Sequence, residues 1–104
     1  MEFEVNDMKD VLTGIENDGK SIFYTEHYLE KIDHRYIHAG MVEDRLFFSK
    51  PDDIRKVPMC DYRFELCFDI GDSRELVVVA DMFGRNSIIL VSAFIKRSVE
   101  RADN

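Results

Sequence analysis

No part of the chain comes near the roughly 20 consecutive apolar residues that a membrane-crossing helix needs. Residues 1–7 carry neither the basic nor the apolar region of a secretory signal. The expectation that follows is a cytoplasmic protein with no membrane partner. Cysteine is limited to Cys60 and Cys67. Both fall in a segment that reads as one strand, on opposite faces and about 20 Å apart, beyond the reach of a disulfide. Two free thiols in a reducing compartment are expected. There is no internal repeat, no low-complexity run and no Pro/Gly-rich linker, so nothing marks a domain boundary. A Gly-rich phosphate loop, a nucleophile elbow and a deliberate pair of carboxylates are absent too, and no cofactor is expected. Basic residues are the minority sign, 14 Lys and Arg against 21 Asp and Glu, for a formal net charge of −7. That excludes a protein that coats nucleic acid through bulk charge.

What is present suits one domain: 104 residues, 45% of them hydrophobic, enough for a single modest core. The charge is unevenly spread. Residues 1–20 hold six acids (Glu2, Glu4, Asp7, Asp10, Glu16, Asp18) against Lys9 and Lys20, whereas Arg85, Lys96, Arg97 and Arg101 face only Glu100 between residues 84 and 101. A local basic site is therefore expected inside an acidic protein.

Periodicity divides the chain into an acidic amphipathic helix within residues 1–20, a core over 21–95 and a polar tail over 96–104. Val5, Met8, Leu12 and Ile15 recur at helical spacing, and Asn17-Asp18-Gly19 closes the segment. Ser21-Ile22-Phe23-Tyr24 is a short β-type run, and Thr25 is placed to cap the next helix. Over residues 26–35, Tyr28, Leu29, Ile32 and Tyr36 form one apolar stripe. A second helix over 41–48 points Val42 and Leu46 inward and stops at Ser49-Lys50-Pro51-Asp52-Asp53, because proline cannot continue the ladder. Together these two read as a helix hairpin. After Pro58 the pattern alternates: Tyr62, Phe64, Leu66, Phe68 and Ile70 share one face, and Asp61, Arg63, Glu65, Cys67 and Asp69 the other. Turns at Gly71-Asp72-Ser73-Arg74 and Gly84-Arg85-Asn86 lead into Glu75–Ala80 and Ser87–Phe94, making an antiparallel meander whose middle strand is covered on both faces. The tail reads as a short helix or frayed end. The fold class is α+β, two layers: a helix hairpin on an antiparallel three- to four-stranded sheet, with an extra N-terminal helix.

That order resembles the RelE/ParE-like toxin superfamily, and within it the small BrnT-type proteins and their relatives. The residues that carry the likeness are Tyr24-Thr25-Glu26-His27, the row His27, Lys31, Arg35-Tyr36-Ile37, then Val42-Glu43-Asp44-Arg45-Leu46 and Lys50-Pro51-Asp52-Asp53-Ile54. Tyr62-Arg63, Val77-Val78-Val79 and Ile88-Ile89-Leu90-Val91-Ser92-Ala93-Phe94 complete it. It spans about residues 21–95 and leaves out the acidic first helix. The resemblance implies a ribonuclease that cuts messenger RNA and is silenced by an antitoxin, with His27, Lys31, Arg35 and Arg63 beside one cleft. The acidic net charge departs from the basic surface of that family, and no tyrosine or histidine follows Phe94.

Metal-free RNA cleavage needs a base for the 2′-hydroxyl, a cation for the charge on phosphorus and an acid for the leaving oxygen. His27 suits acid or base work, and Lys31 and Arg35 suit phosphate oxygens. On a helix these positions drift by about 40° per step and can line one groove. The plain alternative is a solvated helix edge, with His27 packed on Tyr24. Arg63, between Asp61 and Glu65, suits a structural ion pair as well as it suits catalysis. Arg85, Lys96 and Arg97 are candidates for substrate phosphates or an acidic partner. Glu30, His34 and His38 are spaced by helical turns, but no cysteine or further histidine completes a shell, so no metal is expected. A second class of function stays open: a non-catalytic interaction module or homodimer, using the acidic first helix and exposed Phe47 and Phe48. In a third reading the acidic segment covers the basic patch as an internal inhibitor.

Overall fold

The computed structural model describes residues 2–18, 21–85 and 87–97. It is α+β. Three helices, α1 (Val5–Asp18), α2 (Glu26–His34) and α3 (Ala39–Phe48), accompany five strands: β1 (Ser21–Tyr24), β2 (Asp53–Lys56), β3 (Arg63–Gly71), β4 (Arg74–Met82) and β5 (Ser87–Arg97). The open sheet runs β1-β5-β4-β3-β2, antiparallel except where β1 lies parallel to β5.

The sheet has more strands than the periodicity predicts. β2 is a four-residue edge, Asp-Ile-Arg-Lys, with one apolar side chain, too short to show an alternation. β5 continues through Lys96 and Arg97, which were expected in the tail, because both still have register partners on β4: Lys96 faces Glu75 and Arg97 faces Arg74. Residues 98–104, where the rest of that tail and Arg101 fall, lie outside the described residues, as do Gly19, Lys20 and Asn86. Cys60 is not in a strand. The chain turns just after Pro58, with Met59 at φ 66 and the Cys60 amide donating to the Val57 carbonyl at 3.3 Å. Cys67 alone occupies β3; both thiols are free, and burial pushes that of Cys67 up.

One continuous core joins the helices to one face of the sheet, running from Phe3 and Met8 through Tyr28, Val42 and Leu46 to Phe64, Leu66, Phe68, Val78 and Leu90. β4 is the central strand, buried from Glu75 to Val78. The second layer is looser than a helix hairpin: α2 packs chiefly on β5, and α3 chiefly on α1. The β3–β4 turn is a two-residue loop with Asp72 at φ 55 and Ser73 at φ 59, the mirror-image turn that suits twisted strands.

α2 begins where expected. The Thr25 hydroxyl accepts from the Tyr28 amide at 2.9 Å, satisfying one of the donors that a helix start leaves free. It ends sooner than its apolar stripe suggests. Tyr36 takes a left-handed conformation, φ 54, its amide donates to Asp33, and the Ile37 amide reaches back to Ile32 at 2.9 Å. This is the Schellman closure, and Ile32 and Ile37 are both members of the core. It buries Ile37 and leaves Tyr36 almost wholly in solvent, so Tyr36 is not part of the core stripe. A bulky residue in that conformation is strained. Tyr36→Gly is expected to raise stability by about 0.5–1 kcal/mol, read as a higher denaturant midpoint with unchanged slope.

Tyr28 is buried against β5, and its hydroxyl pKa is pushed up to about 12, first by burial and then by the nearby Glu43 carboxylate. The folded state therefore holds this proton longer than the unfolded chain, whose tyrosines release theirs near 10. Stability is full below about pH 10 and falls as pH climbs through 12. In Tyr28→Phe that alkaline loss should flatten, and the last phase of the 295-nm tyrosinate titration should disappear.

Candidate active site on the edge of α2

Short as it is, α2 shows one solvent edge. Tyr28 and Ile32 turn inward, which leaves His27, Glu30, Lys31 and His34 at i, i+3, i+4 and i+7 on a single stripe. With Arg35 they line a shallow hollow of about 200 Å³. The expected grouping of His27, Lys31 and Arg35 is present, joined by Glu30 and His34. His34 had been weighed only as a metal ligand, although its i+7 spacing from His27 was the signal for this role. Along the helix axis the imidazoles are about 10 Å apart at 1.5 Å per residue, with Lys31 between them.

Arg35 is only partly free for a ligand. Its Nη1 donates to the Ala93 carbonyl at 2.8 Å and to Ser92 Oγ at 3.2 Å, and its guanidinium lies 5.9 Å from the centre of the Phe94 ring. Beyond Leu90, where Thr25 makes the last hydrogen bond from the β1 side, this arginine caps the open edge of β5. It fixes the end of α2 to the sheet. Lys31 carries no ion pair among the described residues.

Arg63 does not join this hollow. It starts β3, with β4 standing between that strand and β5, and it forms a two-pronged pair with its register partner Asp81 at 2.7 and 2.9 Å. Asp81 wins over Asp61 and Glu65 because a cross-strand neighbour is nearer than a same-strand one. The hydrogen bond from Asp81 raises the guanidinium pKa further.

The expected basic patch is also dispersed. Arg85 stands at the β4–β5 turn, bonded to Asp7 at 2.8 Å and stacked near Phe3. Lys96 pairs with Glu75 at 3.4 Å at the other end of β5, next to exposed Arg97. β5 is an 11-residue strand, so its ends are about 33 Å apart and these three cannot serve one phosphate. Three acids of the N-terminal segment, Glu2, Glu4 and Asp7, are engaged in structural contacts. Asp7 accepts from the Glu4 amide at 2.7 Å and from Arg85, which lowers its pKa, the backbone bond contributing more. Lys56 holds Glu2 and Glu4. Among the described residues the segment meets the expected basic patch through the Asp7–Arg85 pair, and no ion pair joins it to His27, Lys31 or Arg35.

No three His, Cys, Asp or Glu side chains among the described residues are gathered closely enough to hold a metal ion, and no helix among them is long and apolar enough to cross a membrane. Of the two aromatics expected to be exposed, Phe48 is, and Phe47 packs against the core. Compared with protein-family models, with curated proteins and with solved structures, the chain matches none.

Proposed function

We propose that this protein is a small toxin-like endoribonuclease, or a degenerate relative of one, that works from the outer edge of α2 in the cytoplasm under the control of a partner protein. The observation that carries the reading is the row His27, Lys31, His34 on one stripe of α2. It sets a cation between two imidazoles, each about one helical turn away. A phosphodiester at Lys31 would have its charge met by the ammonium. One imidazole takes the 2′-hydroxyl proton as that oxygen bonds to phosphorus; the other protonates the departing 5′-oxygen as its bond breaks. The products are a 2′,3′-cyclic phosphate and a 5′-hydroxyl, with no cofactor consumed. The element order that underlies the RelE/ParE-like resemblance, β1, α2, α3 and then the meander, supports the same reading.

The test is purified full-length protein with single-stranded RNA, with product ends identified. Cyclic-phosphate ends that vanish in His27→Ala support the proposal. No cleavage, or cleavage that His27→Ala and His34→Ala both retain in full, removes the enzyme reading.

A second reading is a non-catalytic interaction module. It is favoured by Phe48, 78% exposed, beside a broad hollow lined by Met41, Asp44, Arg45 and Ser49. Aromatic residues are enriched at protein–protein interfaces. Light scattering over a concentration series distinguishes it: dimerisation lost in Phe48→Ser would favour the module.

A further inference from the structure

A separate hollow of about 380 Å³ lies where α1 meets the α3–β2 connection, away from the α2 edge. Leu12, Pro51 and Ile54 make its apolar floor and walls, and Lys9 and Lys50 stand at its rim. Its volume falls within the range of small-molecule sites, which join an apolar lining to a few polar groups. Among the described residues the cations divide into paired and unpaired. Arg55, Lys56, Arg63, Arg85 and Lys96 all have carboxylate partners, whereas Lys9 and Lys50 have none among the described residues. The Thr13 hydroxyl is already committed to the Lys9 carbonyl at 3.0 Å, so the polar groups open to a ligand are the two ammonium groups and the Ser49 hydroxyl.

Two unpaired ammonium groups at the rim of one greasy hollow select for a particular chemistry. A polyanion would bring more charge onto the apolar floor than two ammonium groups neutralise. A neutral apolar molecule would leave the lysines unused. We infer that this hollow binds a small organic monoanion, a carboxylate with an apolar body, with the carboxylate between Lys9 and Lys50 and the body against Leu12, Pro51 and Ile54. Nothing in the α2 chemistry calls for such a ligand, so the site stands apart from the proposed ribonuclease function. Placed between α1 and the end of α3, the ligand would extend the packing that these two helices already make.

The experiment is amide-proton and nitrogen NMR on the full chain, titrated separately with octanoate, phenylacetate and inorganic phosphate. Saturable shifts confined to α1 and residues 49–54 are expected with at least one carboxylate, phosphate being much weaker. Tighter octanoate binding would indicate a fatty-acid source and tighter phenylacetate binding an aromatic acid. Lys9→Gln with Lys50→Gln, both at exposed positions, should keep the fold and weaken binding by about tenfold or more. No saturable shift with either carboxylate, equal response to phosphate, or undiminished binding in the double variant would overturn the inference.

Discussion

Phe64→Ala is expected to remove about 4–5 kcal/mol of stability, the upper part of the range for phenylalanine in a core. The reason lies in its partners. Phe64 is fully buried on β3 and stands directly opposite Ala80, which is itself fully buried beside its register partner Leu90 of β5. The large residue fills space that the small one leaves. Its other register partner is Lys56 on the edge strand, whose ammonium is held outside by Glu2 and Glu4. Truncation therefore sets alanine against alanine in the middle of the sheet, with no neighbour free to move in, and the void stays open. A domain of this size has about 5–15 kcal/mol in total, so the variant should be marginal. Urea unfolding should show the midpoint falling steeply with the slope retained, whereas Phe48→Ala, on an exposed ring, should stay within about 0.5 kcal/mol of the parent. A loss below about 2 kcal/mol for Phe64→Ala would mean that the core at Ala80 can collapse.

The elements with long, regular patterns were legible in the sequence. Alternation from Phe64 to Ile70 marks β3, the β-branched run marks β4 as central, and Thr25 marks the start of α2, all of which the structure contains. β2 was illegible because its identity comes from pairing with β3, Ile54 opposite Leu66, rather than from its own four residues. The early end of α2 was hidden for a related reason. Residue type alone places Tyr36 in the apolar stripe, and only the closing bonds to Ile32 and Asp33 turn it out and Ile37 in. The same division runs through the candidate site. His27 and Lys31 belong together by local spacing, which sequence carries. Arg35 depends on Ser92 and Ala93, and Arg63 on Asp81; those partners are set by sheet register, so their structural duties appear only in three dimensions.

That division decides how the α2 edge should respond to mutation. If the row performs RNA cleavage, His27→Ala and His34→Ala should each reduce the rate by about 10²–10⁴-fold, the usual contribution of a positioned acid or base. The double variant should be scarcely worse than either single one, because one proton transfer without its counterpart is already crippled. Lys31→Ala should weaken RNA affinity and rate together, and the effect should shrink in high salt, which screens an exposed cation. Arg35 gives a different signature. Its bonds to Ala93 and Ser92 fix the helix end, so Arg35→Ala should lower stability as well as rate, and Arg35→Lys should restore neither the two-point contact nor full activity. Arg63, committed to Asp81 on another strand, should be dispensable: Arg63→Ala should leave the rate per folded molecule within about twofold, since no interaction with the reacting phosphate is lost. Full activity in both histidine variants would place any cleavage elsewhere and leave α2 as the solvated, dipole-complementing helix end that Lys31 and His34 also make it.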